Sequence, residues 1–191
     1  MSLMQSIELS KAYRLLNHGP TVLISATDQD KQSVMAAAWN MPLDFDPPKI
    51  SVVIDKKSYT RELIEASGEF SISLPCVAQI DMVRKVGTIS GRDLIDTDKF
   101  KLYGLETFFS TEIAAPLLKG CVAWLKCKLI PEPRNQNVYD LFIAEIVAAY
   151  ADERVFSDGH WHFDGNDELR TIHHIAGGAF FATGAAFKSA I

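Results

Sequence analysis

The stretch TVLISATDQDKQSVMAAAWN (residues 21–40) indicates the fold class of the chain. Residues 21–27 carry the apolar and β-branched side chains of a strand, residues 28–32 form a short polar loop, and residues 33–40 return as a second strand. Two consecutive strands joined by so short a loop run antiparallel, because a parallel pair needs a long crossover connection. This stretch therefore predicts an antiparallel sheet.

The segments that follow extend this sheet and insert helices into it. A third strand is predicted over residues 49–54, after a double proline at 47–48 that we expect to block both helix formation and ladder pairing. A helix over 59–67 ends at Gly68, and a strand with alternating faces follows over 69–74. Further predicted elements are helices over 8–17 and 77–86, a loop over 87–100, strands over 119–130, 138–150 and 160–163, and a polar turn over 131–137.

The order of these elements predicts the architecture. Most of the strands can be joined by hairpins, and the helices do not alternate with the strands as they would in a doubly wound parallel sheet. Residues 138–150 contain enough alanine for a helix, but their alternating large side chains favour a strand. We therefore predict a mainly β protein, an antiparallel barrel decorated by helices, in a single domain over residues 1–191.

The composition excludes several classes of protein. The 191 residues are 48% hydrophobic and 23% charged, which is typical of a globular chain, and the net charge of −5 argues against a general nucleic-acid binder. We find no apolar run long enough to span a membrane and no secretory signal, so we expect a cytoplasmic protein. Cys76, Cys121 and Cys127 lack metal-ligand spacing and are expected to be buried, reduced thiols.

The segment VVIDKKSYTREL (residues 52–63) places basic and hydroxyl side chains where a strand turns into a helix. A helix N-terminus presents unpaired N–H groups and a partial positive charge, so it can bind an anion. Helix starts usually carry acidic side chains, and here Glu62 is the first carboxylate, a pattern that favours a bound phosphate. The alternative is a helix capped by Ser58 with solvated lysines. The groups available to a phosphate are Lys56, Lys57, Ser58, Thr60 and Arg61.

The segment SVMAAAWN (residues 33–40) contains three consecutive alanines, which are unusual in a strand because alanine packs a pleated surface poorly. Such small side chains allow a flat molecule to approach the backbone. Asn40 could add a side-chain donor and acceptor for the edge of a heterocycle, and Trp39 could brace the wall. The alternative is close packing of the alanines against a neighbouring element.

Two further segments complete this picture. The loop GTISGRDLIDTDKF (residues 87–100) carries Arg92 and Lys99 between glycines, which suit a close backbone approach, although a solvated surface loop would look similar. The adjacent His173 and His174 point to opposite sides of an extended segment, so we expect no metal site there. Together with the alanine strand and the basic helix start, the loop suggests one planar, phosphate-bearing ligand, which fits a flavin mononucleotide (FMN) better than a dinucleotide.

The order of five segments resembles the flavin reductase-like, FMN-binding split-barrel family, and within it the flavoredoxin-like members. The segments are GPTVLISAT, SVMAAAWNMPLDFDPPKISVVIDKKSYTRELIEASGEFSISLP, KVGTISGRDLIDTDKF, APLLKGCVAWLKCKL and HHIAGGAFF, and they cover roughly residues 15–181. The resemblance implies a six-stranded Greek-key split barrel and a homodimer with FMN bound non-covalently near the interface. The apolar run AGGAFFATGAAF near the C-terminus agrees with burial against a partner chain.

The resemblance also implies which residues hold FMN. The isoalloxazine is expected along residues 33–40, and the phosphate near the start of the helix, with Lys57 or Arg61 as alternative contacts. Relatives often carry Thr or Ser within the first motif where this chain has alanine, so a side-chain hydrogen bond to the ring is missing or is replaced by backbone. The cofactor-binding residues implied are Ser33, Met35, Ala37, Ala38, Trp39, Asn40, Lys56, Ser58, Thr60 and Lys99.

The function implied is an FMN-dependent oxidoreductase with NADH or NADPH as electron donor. Electrons would pass to free flavin, to an iron or disulfide acceptor, or to a redox partner protein. Because the flavin carries the chemistry, no side chain is predicted to act as a general acid or base. Two alternatives stay open: an FMN-carrying electron-transfer module without nicotinamide turnover, and a split barrel that uses another planar ligand such as pyridoxal phosphate or haem.

Overall fold

A computed structural model describes residues 8, 10, 11, 15, 19–109 and 111–190. The helix predicted over residues 8–17 falls largely outside the described residues. The strands are β1 (Val22–Asp28), β2 (Lys31–Ala37), β3 (Asn40–Phe45), β4 (Pro48–Val53), β5 (Glu69–Leu74), β6 (Thr107–Phe108), β7 (Leu117–Leu118), β8 (Ala123–Ile130), β9 (Leu141–Ala151), β10 (Phe156–Ser157), β11 (His160–Trp161), β12 (Ile172–Ala176) and β13 (Ala179–Ala182). The α-helices are α1 (Tyr59–Ser67), α2 (Ile80–Thr88), α3 (Lys99–Tyr103) and α4 (Pro133–Tyr139), with 3₁₀ turns at Val77–Gln79, Gly91–Asp93 and Asp167–Leu169.

The described strands build one large antiparallel sheet in the order β2-β1-β5-β8-β9-β4-β3. Strands β1 and β4 lie near opposite ends of this order but face the same apolar interior. Ile24 of β1 and Val52 of β4 share one core with Phe70, Phe142 and Cys127. The sheet therefore curls into a barrel, which confirms the predicted mainly β, antiparallel fold. Three two-stranded ladders accompany it: β6 with β7, β10 with β11, and β12 with β13.

The helices pack on different parts of β1 and β2. Leu63 and Ile64 of α1 join the barrel interior. Successive strand residues face opposite sides, so Leu23 of β1 lies outside the barrel, where it packs with Val83 of α2 and Phe100 of α3. β2 consequently has α1 near one side and α2 and α3 near the other.

Several predicted elements are confirmed. β1 and β2 form the expected hairpin, with Asp28 opposite Lys31 across the turn. The helix over 59–67 and the strand over 69–74 have the predicted bounds, and Gly68 ends the helix in the left-handed conformation at φ 74°. The three cysteines are buried and unpaired, as expected.

Other predictions were wrong at the ends of elements. The strand predicted over 33–40 stops at Ala37, and Asn40 begins β3, which was not predicted. Pro48 does not block pairing, because it occupies the first position of β4, opposite Phe45. The strand predicted over 119–130 begins only at Ala123.

The polar turn predicted over 131–137 is mostly the helix α4. Pro133 takes the first helical position, where a missing N–H is harmless, and Asp140 ends the helix in the left-handed region at φ 55°. The following strand therefore begins at Leu141 rather than at residue 138. In the part of the chain that the structure describes, no helix has the length and apolar character needed to cross a membrane.

Candidate functional site

Two adjacent clefts, which share the lining residues Ala36, Gly87 and Thr88, lie between β2 and α2, and together we call them the groove. We call the first the hydroxyl cleft; it measures about 350 Å³. The second, the alanine pocket, measures about 320 Å³. The hydroxyl cleft is lined by Ser33, Met35, Ala36, Asp55, Lys57, Ser58, Tyr59, Thr60, Val86, Gly87, Thr88, Ile89, Ser90, Gly91 and Lys99. The alanine pocket is lined by Thr21, Ala36, Ala37, Ala38, Val83, Arg84, Gly87, Thr88, His174, Gly178 and Phe180.

The start of α1 opens into the hydroxyl cleft. Asp55 shapes the turn from β4 into the helix: its side chain accepts from the backbone N–H of Lys57 at 2.7 Å, and its carbonyl accepts from the N–H of Ser58 at 2.8 Å. Ser58 occupies the N-cap position, but its hydroxyl makes no cap hydrogen bond and instead contacts Sδ of Met35 at 3.1 Å. The side-chain cap of the alternative interpretation is therefore absent, and the N–H groups of the first turn are left for another acceptor.

Two hydroxyl groups meet at the base of the hydroxyl cleft. Thr60 Oγ1 lies 3.0 Å from Ser33 Oγ, and both residues are about 1% exposed. The resemblance implied that Ser33 contacts the planar ring of the ligand. In the structure Ser33 instead lies beside the start of α1. Gly91 approaches the same pair so closely that an added Cβ would lie 2.7 Å from Cδ1 of Tyr59 and 3.0 Å from Ser33 Oγ. This is the close backbone approach expected of the 87–100 loop.

Lys99 is the buried cation of the hydroxyl cleft. Its ammonium donates to the carbonyl of Val34 on β2 at 2.9 Å and to the carbonyl of Val86 on α2 at 2.6 Å. Burial lowers the pKa of Lys99 to about 8, because the charged form loses its hydration. Lys99 therefore ties the two walls of the groove together and has one remaining N–H to offer a ligand.

The other predicted basic groups behave differently. Lys57 lines the hydroxyl cleft, whereas Lys56 is exposed and does not line it. The guanidinium of Arg61 is 6% exposed and is held by Glu65, Asp140 and two backbone carbonyls. Arg61 thus joins α1 to the α4–β9 connection and is not available to a ligand. Arg92 forms an exposed ion pair with Glu62.

The alanine pocket contains only part of the predicted planar-ligand site. Ala37 and Ala38 line it, as the triple alanine suggested. Asn40 and Trp39 do not line it: the Asn40 amide donates to the carbonyl of Pro20 at 2.9 Å, and Trp39 is half exposed beside β3. Met35 lies in the hydroxyl cleft. The predicted residues are thus divided between the two ends of the groove.

The far wall of the alanine pocket consists of residues that sequence reasoning missed. Arg84 comes from α2, and His174 and Phe180 come from the β12–β13 hairpin, with their rings 5.3 Å apart in an edge-to-face arrangement. The sequence indicates His174 only as half of an improbable metal pair and as part of the segment HHIAGGAFF. Local sequence could not reveal this wall, because it depends on a contact between segments about 90 residues apart.

The comparisons with known proteins agree with this architecture. The family model for the flavin reductase like domain matches residues 14–170. A crystal structure of an FMN-binding domain of a flavin reductases-like enzyme from Shewanella baltica OS155 is 53% identical, with a TM-score of 0.85, and the match covers 97% of this chain and 96% of that one. Flavoredoxin of Desulfovibrio vulgaris (Miyazaki F) is 25% identical with a TM-score of 0.77, covering 100% and 96%. The uncharacterized protein YddH of Escherichia coli (strain K12) is 46% identical over 187 residues, covering 96% and 97%.

Proposed function

This chain belongs to the flavin reductase-like domain family, and on that premise we propose that it is an FMN-binding oxidoreductase. In this proposal NADH or NADPH supplies the electrons, and the acceptor is free flavin, a small acceptor or a redox partner protein. The observation that carries the proposal is the pair of adjacent clefts in the groove, with a helix start in one and an alanine floor in the other. A planar ring joined to a phosphate by a flexible chain matches that shape.

The phosphate is assigned to the hydroxyl cleft. The uncapped first turn of α1 supplies backbone N–H donors and the positive end of the helix dipole. Ser58 and the Thr60–Ser33 pair supply hydroxyl groups, and Lys57 and Lys99 supply positive charge. Lys56 is exposed outside the cleft, so its role is limited to long-range attraction.

The isoalloxazine is assigned to the alanine pocket. The methyl side chains of residues 36–38 allow a flat ring to approach β2 closely, and the backbone of Ala37 and Ala38 can bind its polar edge. Bound FMN would supply the capacity to accept a hydride and pass electrons on. The residues of the groove bind the flavin, orient it and exclude water from one of its faces, and none is assigned a proton-transfer role.

A second copy of the chain is proposed to complete the protein as a homodimer. Trp39, Met41, Leu43 and Phe45 are large apolar side chains on the edge strand β3 and the residue before it, and they give this edge an apolar surface. All four are exposed, and Phe45 is 91% exposed. Such an apolar face on an edge strand favours association. Light scattering tests this proposal: the parent should have the mass of a dimer and Met41→Glu/Leu43→Glu that of a monomer, whereas a monomeric parent would contradict it.

Purified protein tests the proposed function directly. We expect a yellow protein with flavin absorption bands, whose ligand has the mass of FMN and is released on denaturation. A colourless protein that fails to take up added FMN would refute the proposal. Release of pyridoxal phosphate or haem on denaturation would show that the protein binds another planar ligand instead of FMN. Stopped-flow mixing with NADH and NADPH then separates a reductase from a carrier: reduction too slow for turnover, together with fast reduction by a protein donor, would identify the carrier.

A further inference from the structure

The alanine pocket has a marked charge asymmetry. Of the described residues that line it, Arg84 is the one with a permanent charge, and no Asp or Glu is among them. His174 is the second basic group on the same wall. No acidic side chain in the described ranges forms an ion pair with Arg84. The positive charge of Arg84 is therefore not neutralised locally.

The fold holds this arginine at the pocket. Its guanidinium lies against the turn between β12 and β13, so that a Cβ on Gly178 would stand 2.8 Å from Cζ and 2.9 Å from Nε. Gly178 also has φ +82°, a backbone conformation that residues other than glycine rarely adopt. The turn thus has both the backbone shape and the space that the guanidinium needs.

We propose that Arg84 raises the reduction potential of the bound flavin by stabilising the negative charge that the ring acquires on reduction. The inference rests on the proposed function, in which the ring occupies the alanine pocket. A hydride from the nicotinamide brings two electrons and one proton to FMN and leaves the nicotinamide oxidised, so the ring gains one negative charge. A cation without an acidic partner at the wall of that pocket attracts this charge more strongly than it attracts the neutral oxidised ring.

The test is the midpoint potential of bound FMN, measured by anaerobic titration against a reference dye. By linkage, the shift of this potential from that of free FMN reports the ratio of the affinities for reduced and oxidised FMN. We expect Arg84→Gln to reduce this ratio at least tenfold, which lowers the midpoint by about 30 mV for a two-electron couple. Arg84→Lys keeps the charge and should retain most of the parental potential.

Lys85→Gln is the matched control. Lys85 is the next residue of α2, is exposed like Arg84 and does not line the groove, so the variant removes the same charge from the same helix away from the pocket. We expect it to shift the potential far less than Arg84→Gln. An unchanged potential in Arg84→Gln, or an equal shift in Lys85→Gln, would overturn the inference.

A second variant covers the case in which Arg84→Gln no longer retains flavin. Gly178→Ala keeps the arginine but displaces its guanidinium, and it should lower the potential as well; a parental potential in that variant would overturn the inference. Failure here is distinguishable from failure of the proposed function. A parent protein that binds no FMN overturns both, whereas a parent that binds FMN with a potential insensitive to Arg84 overturns the role of the arginine alone.

Discussion

The hydroxyl pair of Thr60 and Ser33 offers the most direct test of the proposed phosphate site. The two oxygen atoms are 3.0 Å apart in a buried position at the base of the hydroxyl cleft. Since one hydroxyl donates to the other, one of the two protons stays available for a phosphate oxygen. Thr60 Oγ1 is the donor of this bond, so the available proton is that of Ser33. Thr60→Val keeps the branched shape of the side chain and removes the hydroxyl that donates to Ser33, so the Ser33 proton is no longer directed toward the phosphate by that hydrogen bond.

The size of the effect follows from the charge of the acceptor. A hydrogen bond to a charged group contributes about 1.5–3 kcal/mol, and each 1.4 kcal/mol changes a dissociation constant about tenfold. We therefore expect Thr60→Val to raise the Kd for FMN by about 10- to 100-fold. The ligand-free protein loses one neutral hydrogen bond, so its free energy of unfolding should fall by only about 1 kcal/mol.

Flavin fluorescence titration gives the Kd, and urea unfolding of the ligand-free protein gives the stability. Thr27→Val is the matched control, because Thr27 Oγ1 donates to the carbonyl of Lys31 at 2.8 Å across the β1–β2 hairpin and does not line the groove. It should leave the Kd unchanged. A Kd for Thr60→Val within about twofold of the parental value would refute the assignment of the phosphate to this pair.

Three further substitutions test other contacts. Arg61→Leu should lower the free energy of unfolding in urea by about 2–3 kcal/mol, because the buried guanidinium holds two carboxylates and two carbonyls, while the Kd for FMN stays near the parental value. Gly91→Ala should weaken FMN binding in the same titration about tenfold, since its Cβ would stand 2.7 Å from Tyr59, whereas Gly184→Ala, with no atom within 4 Å, should not. Burial lowers the pKa of Lys99 from 10.5 to about 8, so the unfolded chain binds more protons between these pH values and stability rises with pH there. In urea unfolding, the free energy of unfolding of the parent should rise relative to that of Lys99→Met by up to about 3 kcal/mol as the pH is raised through this window. A difference between the two free energies that does not change with pH would contradict the effect of burial.

The elements that sequence predicted well are those with local signals. The β1–β2 hairpin follows from two apolar strands around a polar loop, and α1 from a basic, hydroxyl-rich start and Gly68 at its end. β3 was missed because Pro42 and Asp44 obscure its alternation, and its pairing with β4 depends on the neighbouring strand. α4 was missed because seven residues provide too little apolar periodicity to identify a helix.

The candidate site shows the same division. The pattern of basic and hydroxyl side chains indicated Ser58 and Thr60, and the family resemblance implied Lys99; all three line the hydroxyl cleft. Sequence could not show that Arg61 would be held by α4, or that Arg84 would face the β12–β13 hairpin. These outcomes depend on which distant segments meet, and no pattern within either segment encodes that meeting.

The bridge made by Lys99 has a consequence for the rate of ligand exchange. Its ammonium is bonded to β2 and to α2, and the shared wall of Ala36, Gly87 and Thr88 lies between the two ends of the groove. Movement of α2 away from β2 must break at least one of these two hydrogen bonds, so Lys99 resists widening of the groove. Resistance to this widening slows the escape of a ligand that lies between the two walls, which favours a cofactor that stays bound over many turnovers.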